Sequence, residues 1–321
     1  MENLYTYAVA RVKTREDKLL GEQDIAQAVS AKSYDECIRM LSDKGFDGGG
    51  SFSDIEELLS GEHQKLWEFI SELTDDMSVF DVFRIEKDFH NLKAAIKARF
   101  SGGVPGTAFV SGGTMDTQAL IDAVKNREFN VLPEFLADAA SEASAVLNKT
   151  GDGQKCDIIL DKAMIKTKLY AAEKTKNEFL IKYAKLYADI SALKVAVRCC
   201  ELGKDESFME FAIPDSGFNR DELIEAALYG KEAFLKFLEC SEFSGAVPEI
   251  EKSYTAFEKW CDNRLMELVR EQKSNYFTIA PVAAYILARE NEIRAVRIIL
   301  SAKLNGFSEE IVTERLRDMY V

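Results

Sequence analysis

Three segments of this chain share one pattern of charge and hydrophobicity at intervals of about a hundred residues, and any fold must accommodate that recurrence. They are DFHNLKAAIKARF from Asp88, DISALKVAVRCC from Asp189 and EIRAVRIILSAK from Glu292, and they align without a gap. The columns read acid (Asp88, Asp189, Glu292), apolar (Phe89, Ile190, Ile293), apolar (Leu92, Leu193, Val296), base (Lys93, Lys194, Arg297) and apolar (Ile96, Val197, Leu300). The interval is 101 residues from Phe89 to Ile190 and 103 from Ile190 to Ile293. Apolar residues at i, i+3 and i+7 trace one stripe of an amphipathic helix, so period alone accounts for them. An acid and a base held at fixed offsets from that stripe are less generic, and their recurrence is what identifies an internal repeat.

A looser match precedes each of these helices: DIAQAVSAKSYDECIRML from Asp24, DTQALIDAVKNREFNVL from Asp116 and NRDELIEAALYGKEAFLKFL from Asn219. Each opens with Asp or Asn in N-cap position ahead of an apolar-periodic run. Glycine and proline concentrate at Gly45 to Asp54, Ser101 to Gly113, Asn148 to Gln154 and Ile213 to Asp221, which places repeat boundaries near 110 and 215. The expected organisation is therefore three helical repeats, 1–110, 111–215 and 216–321, each a short helix, a linker and long helices. Lys155 to Lys204 and Ala246 to Ala302 read as helical with scarcely a breaker, and no alternating run is strong enough for a strand. Only 5 prolines in 321 residues fit an all-α class. Repeats of this length exceed solenoid modules and favour three homologous helical bundles in pseudo-threefold arrangement about an axis.

Charge narrows the partners. Lys and Arg number 41 against 55 Asp and Glu, a net of −14 that would repel a phosphate backbone or an anionic bilayer, so nucleic acid is excluded. The six cysteines (Cys37, Cys156, Cys199, Cys200, Cys240, Cys261) form no CxxC pair and read as free buried thiols in a reducing compartment. The N-terminus has no apolar leader, and the uncharged run Phe277 to Ala288 is too short to span a bilayer, so a cytosolic or peripheral protein is expected.

Sites of chemistry are sought without success. Gly230-Lys231 and Gly203-Lys204 are followed by acids, where a phosphate loop needs Ser or Thr. The glycines Gly48 to Gly50, Gly102-Gly103 and Gly112-Gly113 read as connectors. Asp43, Gly45, Asp47, Gly48 and Asp54 echo a calcium loop, but glycine stands at the third ligand position and the closing glutamate is missing, so they read as a turn. His63 and His90 lack the i+4 partner of a helical zinc site, and adjacent acids such as Asp75-Asp76 mark solvated faces. No catalytic residue, metal, cofactor or small-molecule substrate is implied. The acid and base columns remain as candidates for a ring of contacts between repeats or with a partner, set against plain helix-flank ion pairs of about 0–1 kcal/mol each.

These residues resemble the C subunit of archaeal and bacterial A/V-type ATPases, the equivalent of the d subunit of the eukaryotic vacuolar proton pump. The resemblance runs end to end through YAVARVKTREDKLL (Tyr7 to Leu20), DFHNLKAAIKA (Asp88 to Ala98), ILDKAM (Ile159 to Met164), YADISALKVAVR (Tyr187 to Arg198) and PVAAYILARENEIRAVRIILSAKLNG (Pro281 to Gly306), finishing in YV. The family's Asn-Leu-Lys/Arg signature is complete only at Asn91-Leu92-Lys93, with Ala192 and Ala295 in the other copies, and Met164-Ile165 stands where an aromatic is common. The resemblance implies a funnel of three bundles seated on the membrane proteolipid rotor ring. It also implies that the funnel receives the central shaft subunits, of D and F type, at the cytoplasmic face. It implies mechanical coupling within an ATP-driven or ATP-making ion-translocating complex, with no active site on this chain. An unrelated helical adaptor, or an enzyme with an acid-lined helical cavity, are the competing readings, and an inward cluster of acids with raised pKa would revive the second.

Overall fold

The computed structural model describes residues 5–47, 54–103 and 109–321, so Gly48 to Gly50 and the middle of the Ser101 to Gly113 connector lie outside the described residues. The protein is all-helical, with sixteen α-helices and no strand among the described residues. They are α1 (Thr6–Glu16), α2 (Glu22–Ser30), α3 (Tyr34–Asp43), α4 (Ile55–Ser71), α5 (Asp81–Ser101), α6 (Thr117–Asn126), α7 (Glu134–Thr150), α8 (Gly153–Thr175), α9 (Glu178–Glu201), α10 (Glu206–Ala212), α11 (Arg220–Leu228), α12 (Lys231–Glu239), α13 (Val247–Lys252), α14 (Tyr254–Arg270), α15 (Ala280–Asn305) and α16 (Glu309–Arg315).

Local chemistry sets the breaks. Lys155 to Lys204 is two helices, not one, because Lys176 turns into the left-handed region (φ 54°) and Asn177 then caps α9, accepting from Leu180 N at 3.1 Å. Ala246 to Ala302 divides at Ser253, whose hydroxyl caps α14 through Ala256 N at 3.0 Å, and again before Pro281, which sits in the first turn of α15. Of the three expected N-caps, Asp116 and Asn219 serve as such, on Ala119 N (2.8 Å) and Asp221 N (3.2 Å). Asp24 does not. It lies inside α2, and its Oδ2 reaches back to accept from Gly21 N at 3.1 Å, so the acid caps the helix from its third position.

The helices pack into two compact units, one drawn from Met1–Met77 and Glu242–Val321, the other from Ser78–Ser241. These divisions by packing fall at other places than the repeat boundaries at 110 and 215. In the first unit α15 packs against α4, α1, α3 and α2 around Leu58, Leu59, Val296, Ile299 and Leu300, all fully buried. The segment after α16 is threaded into the same unit: Met319 and Tyr320 are buried, Tyr320 Oη donates to Glu16 Oε1 at 3.1 Å, and Asn291 Nδ2 donates to Asp318 O at 3.1 Å. In the second unit α5, α6, α7 and α8 enclose Leu92, Leu120, Leu136, Ala140 and Leu160, with α9 laid along α8. Each fully buried leucine contributes about 1.5–3 kcal/mol.

All nine apolar residues of the three repeat columns are buried. The long helices α9 and α15 go further and bury residues around most of their circumference, with alanines at 280, 283, 284, 288, 295 and 302 letting neighbours approach α15 closely. All six cysteines are free thiols. Cys37, Cys156, Cys199 and Cys261 are buried and Cys200 is half-buried, but Cys240, on the capping turn of α12, is exposed, contrary to the expectation of buried thiols throughout.

Candidate functional site

The acid column makes the same contact three times. Asp88, buried on α5, accepts from Thr114 N (2.9 Å to each carboxylate oxygen), from Thr114 Oγ1 (2.6 Å) and from Met115 N (3.4 Å). Asp189 on α9 accepts from Gly217 N at 2.5 Å. Glu292, buried on α15, accepts from Leu20 N at 2.6 Å. In every case the donor is a backbone N–H one or two residues ahead of the cap of a short helix: Asp116 for α6, Asn219 for α11, Gly21 for α2. Helix α6 therefore docks on α5, α11 on α9 and α2 on α15. The third contact joins α15 to the start of the chain, and both lie in one unit.

The approach is close enough to dictate residue type. A Cβ at Gly113 would overlap Asp88 Oδ1, and one at Gly217 would lie 3.1 Å from Asp189 Oδ1. Glutamate is one methylene longer than aspartate, and Glu292 reaches Leu20 N without pressing on the adjoining Gly21, where a Cβ would meet Val321 and Asp24 instead. Because four hydrogen bonds anchor Asp88 and Arg84 holds the carbonyls of Gly112 and Gly113, the overlap at Gly113 cannot be relieved by a rotamer change. Gly113→Ala is expected to destabilise the protein by about 1–3 kcal/mol, as overpacking does. At Gly217 the approach is less close, 3.1 Å from a half-buried carboxylate, and urea unfolding should give Gly217→Ala the smaller loss; equal losses would contradict this geometry.

A second recurrence closes each repeat helix. Gly102, Gly203 and Gly306 each stand fourteen residues after the acid with φ of 68°, 58° and 67°. The next N–H in each case donates back into the helix: Gly103 to Ala98 O, Lys204 to Cys199 O, Phe307 to Ala302 O, at 3.0–3.1 Å. A left-handed residue is needed for that closure, and glycine adopts it without steric cost.

Two of the three acids are buried, and burial acts on the charge of both. Burial pushes the Asp88 carboxyl above the usual carboxylate range, with the Thr114 hydroxyl and amide opposing it. Burial likewise raises Glu292, opposed by Arg289. Arg289 also pairs with the fully buried Glu62, so one guanidinium bridges two interior carboxylates. Burial works against the Arg289 charge, but Glu292 and Glu62 together carry its pKa above the ordinary guanidinium value. These raised acids do not revive the enzyme reading, because Thr114, Met115, Leu20 and Arg289 already occupy their oxygens.

The base column behaves otherwise. Lys93 pairs with Asp161 at 2.8 Å and lies 3.9 Å from Asp157, both on α8, and exposed Arg297 pairs with Glu56 on α4. Lys194 is half-buried on α9. Pairs of this exposure contribute about 0–1 kcal/mol each. The structure thus brings each acid to a neighbouring loop, and sets Lys93 against α8 and Arg297 against α4.

Sequence patterning missed Glu62, Arg289 and the buried Lys168, whose ammonium pairs with Glu86 and lies 3.8 Å from the Tyr187 ring centre. None of these occupies a repeat column. No helix among the described residues is long and apolar enough to cross a membrane.

Comparison with known proteins places these features in a family. The family model described as ATP synthase (C/AC39) subunit matches residues 8–315. The chain is 23% identical to the C subunit of the V-type sodium ATPase of Enterococcus hirae over 96% of its own length and 97% of that protein's. It is 24% identical to the C subunit of the V-type ATP synthase of Thermus thermophilus, covering 94% of each. It is 23% identical to the C subunit of the A-type ATP synthase of Desulfurococcus, over 97% of this chain and 90% of the relative.

Proposed function

Because the chain belongs to the ATP synthase (C/AC39) subunit family, we propose that it is the central-stalk part that couples the shaft to the membrane rotor ring. As a family member it is a subunit of a membrane-associated ATP synthase complex and not an enzyme in its own right. The finer reading is that three homologous bundles, related by an approximate threefold axis, form a funnel that seats on the proteolipid ring. The funnel receives the lower end of the D- and F-type shaft subunits at the cytoplasmic face. Torque then passes between the ATP-handling head and the ion-carrying ring through this chain.

The observation that carries the reading is the Glu292 to Leu20 hydrogen bond, which repeats the Asp88 and Asp189 contacts across the two ends of the chain. Joints of this kind, each fixing a short helix to a long one, resist twisting, and stiffness is what a coupling part requires. Asp88 and Glu292, the carboxylates of two of those joints, are buried. Helix α15 adds a second support: Phe277, just before it, is 74% exposed, and Leu304 and Phe307, at its far end, are 60% and 54% exposed. Its 26 residues separate these apolar points by about 39 Å, as a part with one partner at each end would need.

Membranes carrying the rest of the complex, stripped of this chain, test the role: the added chain should recover both shaft subunits and proteolipid in one co-purified species. Reversing Lys93, Lys194 and Arg297 together to glutamate is expected to weaken recovery of the shaft subunits while the thermal midpoint moves by only a few degrees, the bases being surface pairs. Unchanged recovery would reject a direct role for these bases in assembly.

A further inference from the structure

We propose that the turn joining α8 to α9 is a docking point for an acidic surface of another protein in the complex. Residues 162–185 hold seven lysines against two glutamates, a local charge of +5 in a chain whose net charge is −14. At the turn, Lys166, Lys174, Lys176, Lys182 and Lys185 are all exposed. Lys166, Tyr170 and Lys174 follow at four-residue spacing on one ridge of α8; Tyr170 is 62% exposed, and the Lys174 ammonium lies 5.5 Å from its ring centre.

Local helix energetics explain only part of this charge. Lys174 and Lys176, at the end of α8, offset the negative pole of that helix. Lys182 and Lys185 stand in the second turn of α9, towards its positive pole, where the helix dipole does not favour them. The turn is also held firmly. Lys168 is 1% exposed, with its ammonium on Glu86 and over the Tyr187 and Tyr183 rings at 3.8 and 5.3 Å, and Phe179 and Leu180 are buried beside it.

The chemistry selects a protein over a bilayer. A membrane-surface helix presents a bulky apolar face opposite its lysines, whereas the inward faces of α8 and α9 are consumed by the core, leaving Tyr170 as the exposed apolar side chain of the turn. Lysine without arginine also fits an acidic protein surface met in more than one register, since an ammonium acts as a point charge and imposes no bidentate geometry. The inference rests on the reading of the chain as one member of a complex, but on none of the contacts assigned above.

Lysine acetylation of the intact complex, compared with the free chain, should show Lys174 and Lys176 protected several-fold. A zero-length carbodiimide should then link them to carboxylates of another protein of the complex, and both effects should fade as salt is raised. Changing the five exposed lysines to glutamate should weaken rejoining of stripped membranes by about tenfold or more at low salt. Equal acetylation in complex and free chain would overturn this inference alone. Protection that disappears when lipid is removed, without a protein crosslink, would assign the turn to the bilayer and overturn it too. Failure of the wild-type chain to join any complex would overturn both this inference and the role on which it rests.

Discussion

Replacing Arg289 with methionine is expected to cost about 3–5 kcal/mol of stability, the range found when one partner of a buried ion pair is removed. Glu62 is 0% exposed and Glu292 1% exposed, and Arg289 is the cation they share. Methionine fills most of the volume but leaves Glu292 without its paired cation, while Glu62 keeps Lys65 at 2.8 Å. The pH dependence identifies the cause. Burial already raises Glu292 above the usual range, and losing the guanidinium raises it further, so the folded variant holds protons more tightly than the unfolded chain. Stability of that kind is present below the unfolded carboxylate pKa of about 4.3 and is lost as pH rises through the folded value. The gap between variant and wild type, followed by urea unfolding, should therefore be smallest near the acid end of the stable range and widen towards neutrality. A gap that ignores pH would instead assign the loss to packing, since the guanidinium also lies 4.5 Å from the Phe46 ring centre.

Asp88→Ala is expected to have the next largest effect, about 2–4 kcal/mol, because it strips a buried acceptor from Thr114 N, Thr114 Oγ1 and Met115 N at once. Asp189→Ala removes the same contact where it is open to solvent, and water can satisfy Gly217 N. Its cost should stay near 1 kcal/mol or below. The graded pair separates two accounts of the acid column. If the column were a ring of equivalent surface charges, the two alanine variants would cost alike. If it is a set of joints of unequal depth, Asp88 should lose several times more.

Much of the fold was legible because helices announce themselves by period, and nine apolar positions at i, i+3 and i+7 were all found buried. The acid column was legible because a buried carboxylate must sit at a fixed phase to its apolar stripe. Its partners were not, since a backbone N–H leaves no mark in the sequence. Two indirect marks were present: Gly113 and Gly217, needed for the close approach, and the glycines fourteen residues after each acid, at 102, 203 and 306. The docking of α6 on α5 and of α11 on α9 was hidden for a topological reason, because sequence order suggests that a short helix belongs with the long helices that follow it. Glu62, Arg289 and Lys168 were hidden because a charged residue on a helix reads as solvated until a facing helix supplies its counter-charge, here across 227 residues for Glu62 and Arg289.

The central claim is that this chain couples a shaft to a rotor ring, and it is tested most directly by ATP-driven ion transport in vesicles carrying the complex with and without it. Removing the chain is predicted to abolish transport while ATP hydrolysis by the catalytic head persists, and adding it back is predicted to restore transport. Transport that continues at the same rate per ATP in its absence would contradict the account.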